Sequence, residues 1–192
     1  MLRKLGESVK AGLDIKGIPT SIKTERLAKK FGIPLTQFSK VDQIDIAIDG
    51  ADEIDNDFNL LKGGGGSLVR EKIVDARAKQ LIIIVDESKI VSQLGAFSLP
   101  VEVVSFGWEL TAGNISELGC VPRLRKIDNE IFVSNNGNYI LDCDFTEIKQ
   151  PKQLHERLKL CVGVVETGLF TEMTDIVIVA KKDGLETFQK EK

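Results

Sequence analysis

A strand–helix–strand order in the first half of the chain limits its fold more than any other sequence feature. Residues 44–48 predict a strand, residues 67–79 predict a helix, and residues 81–85 form the continuous apolar run of a buried parallel strand. Two further helices are predicted before them, at residues 8–13 and 23–31. This order is that of a βαβ unit, so we predict an α/β fold with an open, doubly wound parallel sheet.

The pattern changes after Pro100, where short strands alternate with two helices. The predicted strands are residues 101–104, 123–125, 131–134 and 139–142, and the predicted helices are residues 107–118 and 152–160. A hairpin turn is indicated by Asn135-Asn136-Gly137-Asn138. We therefore expect a small α+β unit here, after which residues 176–180 return to the first sheet as a buried strand.

Two polar segments carry the candidate chemistry. Asp49 and Asp52 follow the first predicted strand, and Lys62 precedes four glycines that lead into the helix containing Glu71. Open α/β sheets bind ligands at the carboxyl ends of their strands, and the backbone amides at helix N-termini favour anions. Acids, a cation and exposed amides in one region suit proton transfer on a polar, oxygen-rich small molecule.

Each of these segments also fits a simpler interpretation. Acids at alternate positions after Asp49 suit a calcium loop or a solvated turn, although Ala51 and Ile54 break the EF-hand pattern. Four glycines suit a flexible linker, and the run lacks the endings of a P-loop and of a dinucleotide site. Glu71 alone would be an ordinary first-turn acid, and Lys89, just beyond a strand, an ordinary surface lysine.

Composition and charge narrow the class of partners. The 192 residues have a formal net charge of −3, with 42% hydrophobic and 29% charged residues, which is near ordinary globular usage. This balance gives no reason to expect nucleic acid or a membrane as a partner, and no apolar run approaches the length of a membrane span. A cytoplasmic location is the default expectation.

The cysteine and histidine content argues against other kinds of site. Cys120, Cys143 and Cys161 form no C-x-x-C pair, so we predict free thiols, buried or half-buried, and neither a zinc site nor a disulfide framework. His155 is the only histidine, and its polar helical surroundings predict a solvated surface residue. A single histidine also disfavours a Ser/His or Cys/His nucleophile and a histidine-rich metal site.

Several motifs, taken in order, resemble ribose-5-phosphate isomerase of the A type. The motifs of the two polar segments are Asp49-Gly50-Ala51-Asp52-Glu53, Lys62-Gly63-Gly64-Gly65 and Arg70-Glu71-Lys72. Those that follow are Val85-Asp86-Glu87-Ser88-Lys89, Leu94-Gly95, Leu99-Pro100-Val101-Glu102-Val103, Asn135-Asn136-Gly137-Asn138 and Gly168-Leu169-Phe170. The resemblance implies a Rossmann-like domain of residues 1–96 and 170–192, with an inserted ferredoxin-like α+β domain of residues 97–169.

The resemblance also implies a reaction. Such enzymes interconvert D-ribose 5-phosphate and D-ribulose 5-phosphate, a step of the pentose phosphate pathway, through a cis-enediolate. Glu71 would be the base that moves the proton, and Lys62 with the glycine-loop amides would stabilise the enediolate. Asp49 and Asp52 would bind the sugar hydroxyls or assist ring opening, and Lys89 would contact the phosphate.

The remaining implied substrate contacts are Gly50, Ala51, Gly63, Gly64 and Gly65. The resemblance implies no cofactor and no metal, and it leads us to expect a homodimer or homotetramer.

One part of the family pattern has no counterpart in this sequence. Family members resemble this chain only after an N-terminal helix, a first strand and a Thr-Gly-Ser-Thr-type phosphate loop, and no such loop lies upstream of Gly17. Residues 3–13 resemble the helix after that loop, and residues 17–21 resemble the end of the second strand. The alternatives to an active isomerase are therefore a non-catalytic sugar-phosphate-binding protein and an inactive fragment. Without the first strand, we expect an unpaired strand edge and an exposed apolar face. Unless a partner chain fills that gap, we also expect weak stability and weak phosphate affinity.

Overall fold

The computed structural model describes residues 1–190 as a mixed α/β fold. Its helices are α1 (Leu2–Lys10), α2 (Ile22–Lys30), α3 (Leu68–Asp75), α4 (Trp108–Ser116) and α5 (Pro151–Leu160). Its strands are β1 (Ile44–Asp49), β2 (Glu53–Ile54), β3 (Leu60–Leu61), β4 (Ala78–Asp86), β5 (Leu99–Val103), β6 (Val121–Leu124), β7 (Lys126–Ile127), β8 (Glu130–Ile131), β9 (Tyr139–Asp144), β10 (Val164–Thr167), β11 (Leu169–Phe170), β12 (Ile176–Lys181) and β13 (Gly184–Gln189). Within residues 1–190, no helix has the length and apolar character needed to cross a bilayer.

The predicted parallel sheet is present and has the strand order β1-β4-β12-β13. β4 pairs in parallel with both β1 and β12, and β13 pairs antiparallel with β12. The chain returns from β1 to β4 through α3, because a parallel pair needs a crossover connection. Buried side chains of β4 and β12, among them Leu81, Ile83, Val177 and Val179, share one apolar core. The predicted α/β class with a parallel sheet is confirmed.

A second, antiparallel sheet has the strand order β10-β5-β9-β6. Its elements follow one another as β5, α4, β6, β9, α5 and β10, which is the β-α-β-β-α-β arrangement of ferredoxin-like folds. Val101 and Val103 of β5 pack with Ile115 of α4 and Leu158 of α5 in a second apolar core. The predicted ferredoxin-like unit is therefore present, while the domain bounds at residues 97 and 169 stay a prediction.

A small sheet of order β11-β3-β2 lies between the two cores. Successive side chains of a strand point to opposite faces. Leu60 and Phe170 accordingly belong to the first core, whereas their neighbours Leu61 and Leu169 belong to the second. The backbone that leads directly into Lys62 is thus held by both cores.

Several element ends differ from the sequence patterns. α3 ends at Asp75 rather than at residue 79, because Ala78 and Gln80 join β4 and pair with Ile44 and Ile46 of β1. The parallel ladder therefore overrides the local helix pattern. α1 covers Leu2–Lys10 rather than residues 8–13, and the strand predicted at residues 131–134 is reduced to β8.

β1 forms one edge of the parallel sheet in the part of the chain that the structure describes. Ile46 and Ile48 of this strand are 52% and 40% exposed. The expected strand edge with exposed apolar side chains is therefore present. The predicted weak stability stays a prediction.

Candidate active site

Three charged side chains from separate elements meet at the carboxyl end of β1. Asp49 is the last residue of β1, Lys62 follows β3 directly, and Glu71 lies in the first turn of α3. Lys62 Nζ is 2.5 Å from Asp49 Oδ2 and 2.8 Å from Glu71 Oε2. The Lys62 side chain is 3% exposed, against 24% for Asp49 and 18% for Glu71. One buried ammonium therefore bridges two partly buried carboxylates.

Burial and charge act against each other in this cluster. Burial opposes the charge on Lys62, but the carboxylates of Asp49 and Glu71 outweigh it and raise the pKa of the lysine. Burial also raises the pKa of Glu71; Lys62 opposes that shift, and the negative charge of Asp49 adds to it. The pKa of Glu71 therefore moves towards neutral pH, which is the direction that suits a general base.

Two ammonium groups share the aromatic ring of Phe170. Lys62 Nζ lies 4.6 Å and Lys72 Nζ 4.5 Å from the ring centroid. Lys72 also donates hydrogen bonds of 2.8 Å to Glu166 Oε1 and to the carbonyl oxygens of Thr167 and Leu169. Burial lowers the pKa of Lys72 to about 8. Lys72 thus connects α3 to β10 and β11 at the position that directly follows Glu71.

His155 is not the solvated surface residue that its polar surroundings predicted. Its Nδ1 lies 2.8 Å from Thr167 Oγ1 and 3.8 Å from Glu166 Oε1, and its side chain is 24% exposed. Burial lowers the pKa of the imidazole. The error has a physical cause: α5 packs one face against β10, and polar neighbours in sequence do not reveal which helical residue points inward.

The four glycines form a tight loop and not a flexible linker. Gly64 N–H donates to Asp52 Oδ2 at 2.9 Å, and Gly66 N–H donates to Gly63 O at 3.0 Å. Gly66 has a φ of +78°, and a Cβ there would lie 2.3 Å from the ring of Phe132. A side chain is therefore excluded at Gly66 both by conformation and by space.

Arg125, which directly follows β6, holds the glycine loop, a role that the sequence patterns did not indicate. Its Nη1 donates to Gly63 O at 2.9 Å and to Gly64 O at 3.1 Å. Its Nε and Nη2 bind the carboxylate of Asp142 at 3.0 Å and 2.5 Å. The planar guanidinium thus bridges an acid and two loop carbonyls. Arg125 and Gly63 lie 62 positions apart, so no local pattern could have joined them.

The other predicted site residues make fewer contacts. Gly50 N–H donates to Asp49 Oδ1 at 2.8 Å, Ala51 is partly buried, and Gly65 is exposed. Lys89 lies in the 3-10 turn that follows β4. Like Asp49, it lies at the carboxyl end of the parallel strands. Its predicted contact with a phosphate stays a prediction.

Two acids of the first polar segment have structural partners. Glu53 is 4% exposed and accepts the backbone N–H groups of Gly95 at 2.7 Å and Phe97 at 2.6 Å. Asp55 accepts hydrogen bonds from the backbone and the side chain of Asn59. These bonds occupy carboxylates that a calcium loop would need, so the arrangement does not favour that alternative.

Gly168 leaves no room for a side chain beside Lys62. A Cβ at Gly168 would lie 2.2 Å from the carbonyl oxygen of Lys62 and 2.9 Å from Pro100 Cδ. We expect Gly168→Ala to lower the free energy of unfolding by about 2 kcal/mol, because the backbone of Lys62 must shift. Urea unfolding measures this change. Gly113→Ala in α4, where a Cβ meets nothing within 4 Å, should be neutral or stabilising; equal destabilisation of both variants would contradict the prediction.

A buried ammonium between two carboxylates, at the carboxyl edge of a parallel sheet, is typical of α/β enzymes that transfer protons. The family model described as "Ribose 5-phosphate isomerase A (phosphoriboisomerase A)" matches residues 16–184. The chain therefore belongs to the ribose 5-phosphate isomerase A family, and by that membership it is an aldose–ketose isomerase.

Individual relatives agree with this assignment. Ribose-5-phosphate isomerase A 1 of Oceanobacillus iheyensis is 54% identical over 186 residues, which are 96% of this chain and 83% of that protein. Ribose-5-phosphate isomerase A of Bacillus mycoides is 50% identical over 188 residues, 97% of this chain and 85% of that protein. The solved structure of ribose 5-phosphate isomerase from Plasmodium falciparum matches with a TM-score of 0.95 and 43% identity, covering 100% of this chain and 86% of that one.

A second solved structure adds a ligand. A D-ribose-5-phosphate isomerase in complex with phospho-erythronic acid matches with a TM-score of 0.95 and 36% identity, covering 98% of this chain and 85% of that one.

Proposed function

We propose that this isomerase interconverts D-ribose 5-phosphate and D-ribulose 5-phosphate through a cis-enediolate, with Glu71 as the base. The observation that carries the proposal is the buried Lys62 ammonium held between Asp49 and Glu71. An assay of the chain for D-ribulose 5-phosphate formed from D-ribose 5-phosphate tests it. Binding of the substrate without turnover would instead favour the non-catalytic sugar-phosphate-binding alternative.

One carboxylate suffices for the carbon chemistry. Glu71 takes the proton from C2 of the open-chain aldose, and the electron pair of the C–H bond moves to form the enediolate, with negative charge on O1. The proton of the C2 hydroxyl group then passes to O1, Glu71 returns its own proton to the neighbouring carbon C1, and the electrons on O2 form the new carbonyl group at C2 as the C1–C2 double bond is lost. The raised pKa of Glu71 favours the transfer from carbon, because a carboxylate whose pKa is raised is a stronger base than an ordinary glutamate.

The developing negative charge needs fixed donors. Lys62 supplies an ammonium whose raised pKa keeps it charged, and the amides of the glycine loop add neutral donors. Asp52 accepts the Gly64 N–H, and in the proposed mechanism its carboxylate also binds a sugar hydroxyl. Asp49 binds a second hydroxyl or assists ring opening, and Gly50, Ala51 and the loop glycines line the substrate.

The substrate phosphate is assigned to Lys89. This lysine lies just beyond β4, at the edge of the sheet that also carries Asp49. A dianionic phosphate and a lysine form a favourable pair even at a partly exposed position. The proposed compartment is the cytoplasm, which agrees with the free thiols of Cys120, Cys143 and Cys161.

The proposed assembly is a homodimer or homotetramer that uses exposed apolar residues of α4, of the end of α5 and of the loops beside them. Phe106, Leu110, Leu160 and Val162 are 92%, 78%, 83% and 86% exposed. The segments that carry Leu110 and Val162 are in contact, since Thr111 Oγ1, next to Leu110, donates to Val162 O at 3.3 Å. Large exposed apolar side chains grouped in this way are typical of interfaces.

Leu110→Glu is expected to shift the chain towards monomer without unfolding it, because a charge would be buried in the interface. Sedimentation velocity at several protein concentrations measures the change. Leu185→Glu, at a 76% exposed position on β13, is the matched control and should leave the assembly intact. A wild-type chain that is monomeric at all concentrations would contradict the proposal.

A further inference from the structure

Asp75 is a buried acid beside the active site to which the proposed mechanism gives no role. It is the last residue of α3, is 5% exposed, and its Oδ2 receives no hydrogen bond from any described residue. Asp75 follows Glu71 by four positions, so both side chains project from the same face of the helix. A buried carboxyl oxygen without a donor is costly when the group is ionised.

The surroundings of Asp75 are dominated by negative charge. The charged groups that face it are Asp49 from β1, Lys62 from the segment after β3, and Glu71 from its own helix. An interaction with the Asp49 side chain also raises the pKa of Asp75. Asp75 thus adds a third carboxyl group beside the two, Asp49 and Glu71, that contact the Lys62 ammonium. Burial and the charge of Asp49 raise the pKa of Asp75 to about 7, because carboxylates that share a site cannot all ionise readily.

We infer that Asp75 is a positioning residue of the active site, which in its protonated form donates a hydrogen bond to the Asp49 carboxylate and so fixes that group against Lys62. Asp49 then receives three donors: Gly50 N–H on Oδ1 at 2.8 Å, Lys62 Nζ on Oδ2 at 2.5 Å, and the Asp75 hydroxyl. The inference rests on the proposed function for the role of Asp49, but the protonation of Asp75 can be measured without any turnover.

The proton on Asp75 also sets the charge balance of the site. When Asp75 is neutral, the cluster that contains Lys62 has two negative carboxylates. When Asp75 ionises, the cluster has three. The additional charge weakens the stabilisation of an anionic enediolate and repels an anionic substrate. Asp75 therefore produces an alkaline limb in the pH profile of kcat/KM near its own pKa, well below the pH at which Lys62 would lose its proton.

A carboxyl NMR titration tests the protonation directly. The wild-type chain is labelled with ¹³C at the aspartate side chains, and the Asp75 signal is assigned through its own backbone. We expect the Asp75 ¹³Cγ shift to titrate near pH 7. A titration of Asp75 in the ordinary range would overturn the inference, whatever the activity of the chain.

The kinetic test compares Asp75→Asn with Asp75→Ala. The asparagine amide can still donate to Asp49 but cannot ionise, so we expect its kcat/KM at pH 6 to stay within about fivefold of wild type and the alkaline limb to disappear. Asp75→Ala also removes the limb, but it loses the donor and should reduce kcat/KM by about tenfold or more at every pH. An alkaline limb that persists unchanged in Asp75→Asn would contradict the inference.

Two further variants separate Asp75 from other groups. Lys72 has a pKa of about 8, so it is the rival source of an alkaline limb. Lys72→Arg keeps a charge that does not titrate; if Lys72 caused the limb, that variant would lose it and Asp75→Asn would keep it. Asp45→Asn removes one exposed carboxylate, on a side chain that is 74% exposed, and should leave the profile unchanged. Loss of turnover in Asp45→Asn would show that net charge alone accounts for the effects.

Discussion

Glu71→Gln is expected to lower kcat by about 10²–10⁴, which is the contribution typical of a well-placed general base. The amide keeps the size of the side chain and can still accept a hydrogen bond from Lys62, but it cannot take a proton from carbon. Initial rates over a range of D-ribose 5-phosphate concentrations separate the effect on kcat from the effect on KM. We expect KM to stay within about tenfold of wild type, because the site keeps its shape.

Two variants make the result specific. Glu130→Gln removes a carboxylate at an exposed position on β8 and should retain wild-type turnover. Glu71→Asp keeps the acid but retracts it by one methylene, so an intermediate loss is expected. If Glu71→Gln kept more than a tenth of the wild-type kcat, a different residue would have to be the base.

Lys62→Met is expected to cost about 3–5 kcal/mol of stability at pH 8, because it leaves buried carboxylates without their cation. The pKa of Lys62 is raised in the folded chain, so its contribution is fully present below the ordinary lysine value and is lost only as pH rises through the folded pKa. The wild-type ion pair therefore operates across the whole neutral range. Urea unfolding at pH 8 and pH 5 measures the difference between the two chains.

The loss in Lys62→Met should shrink as pH falls. Lys62 lowers the pKa values of Glu71 and Asp75, so without it both groups bind protons more tightly in the folded state. The folded variant therefore gains more stability than wild type as pH falls from about 7 to about 4. Lys62→Met combined with Asp49→Asn should recover part of the loss at pH 8. Lys79→Met, at a side chain that is 60% exposed, is the control and should change stability by less than about 0.5 kcal/mol. A destabilisation equal at both pH values would argue against a charge effect.

The parallel sheet and most helices could be predicted from the sequence because their signals are local. Residues 81–85 are apolar without interruption, and strand β4 pairs with β1 on one side and with β12 on the other. By contrast, β2, β3 and β11 have two residues each, and two residues are too few to show the alternation of apolar and polar side chains that predicts a strand. These strands nevertheless position Lys62, so the sequence predicted the residue but not the support that buries it.

The same difference between local signals and tertiary contacts decides which residues of the candidate site could be predicted. Asp49, Lys62 and Glu71 were predicted from motifs, and the structure brings all three within hydrogen-bond distance. Arg125 and Asp75 were missed. Arg125 reaches the glycine loop only through tertiary packing, whereas Asp75 carried a signal, since an acid four residues after Glu71 lies on the same helical face.

The placement of Lys62 after β3 has a consequence for how this protein can change over time. Leu60 and Leu61, just before it, are anchored in different cores, as are Phe170 and Leu169 on the paired strand. Repacking of either core would move the same short backbone segment, and with it the ammonium between Asp49 and Glu71. We therefore expect selection on catalysis to act on substitutions deep inside the ferredoxin-like unit, although these positions lie far in sequence from Asp49, Lys62 and Glu71.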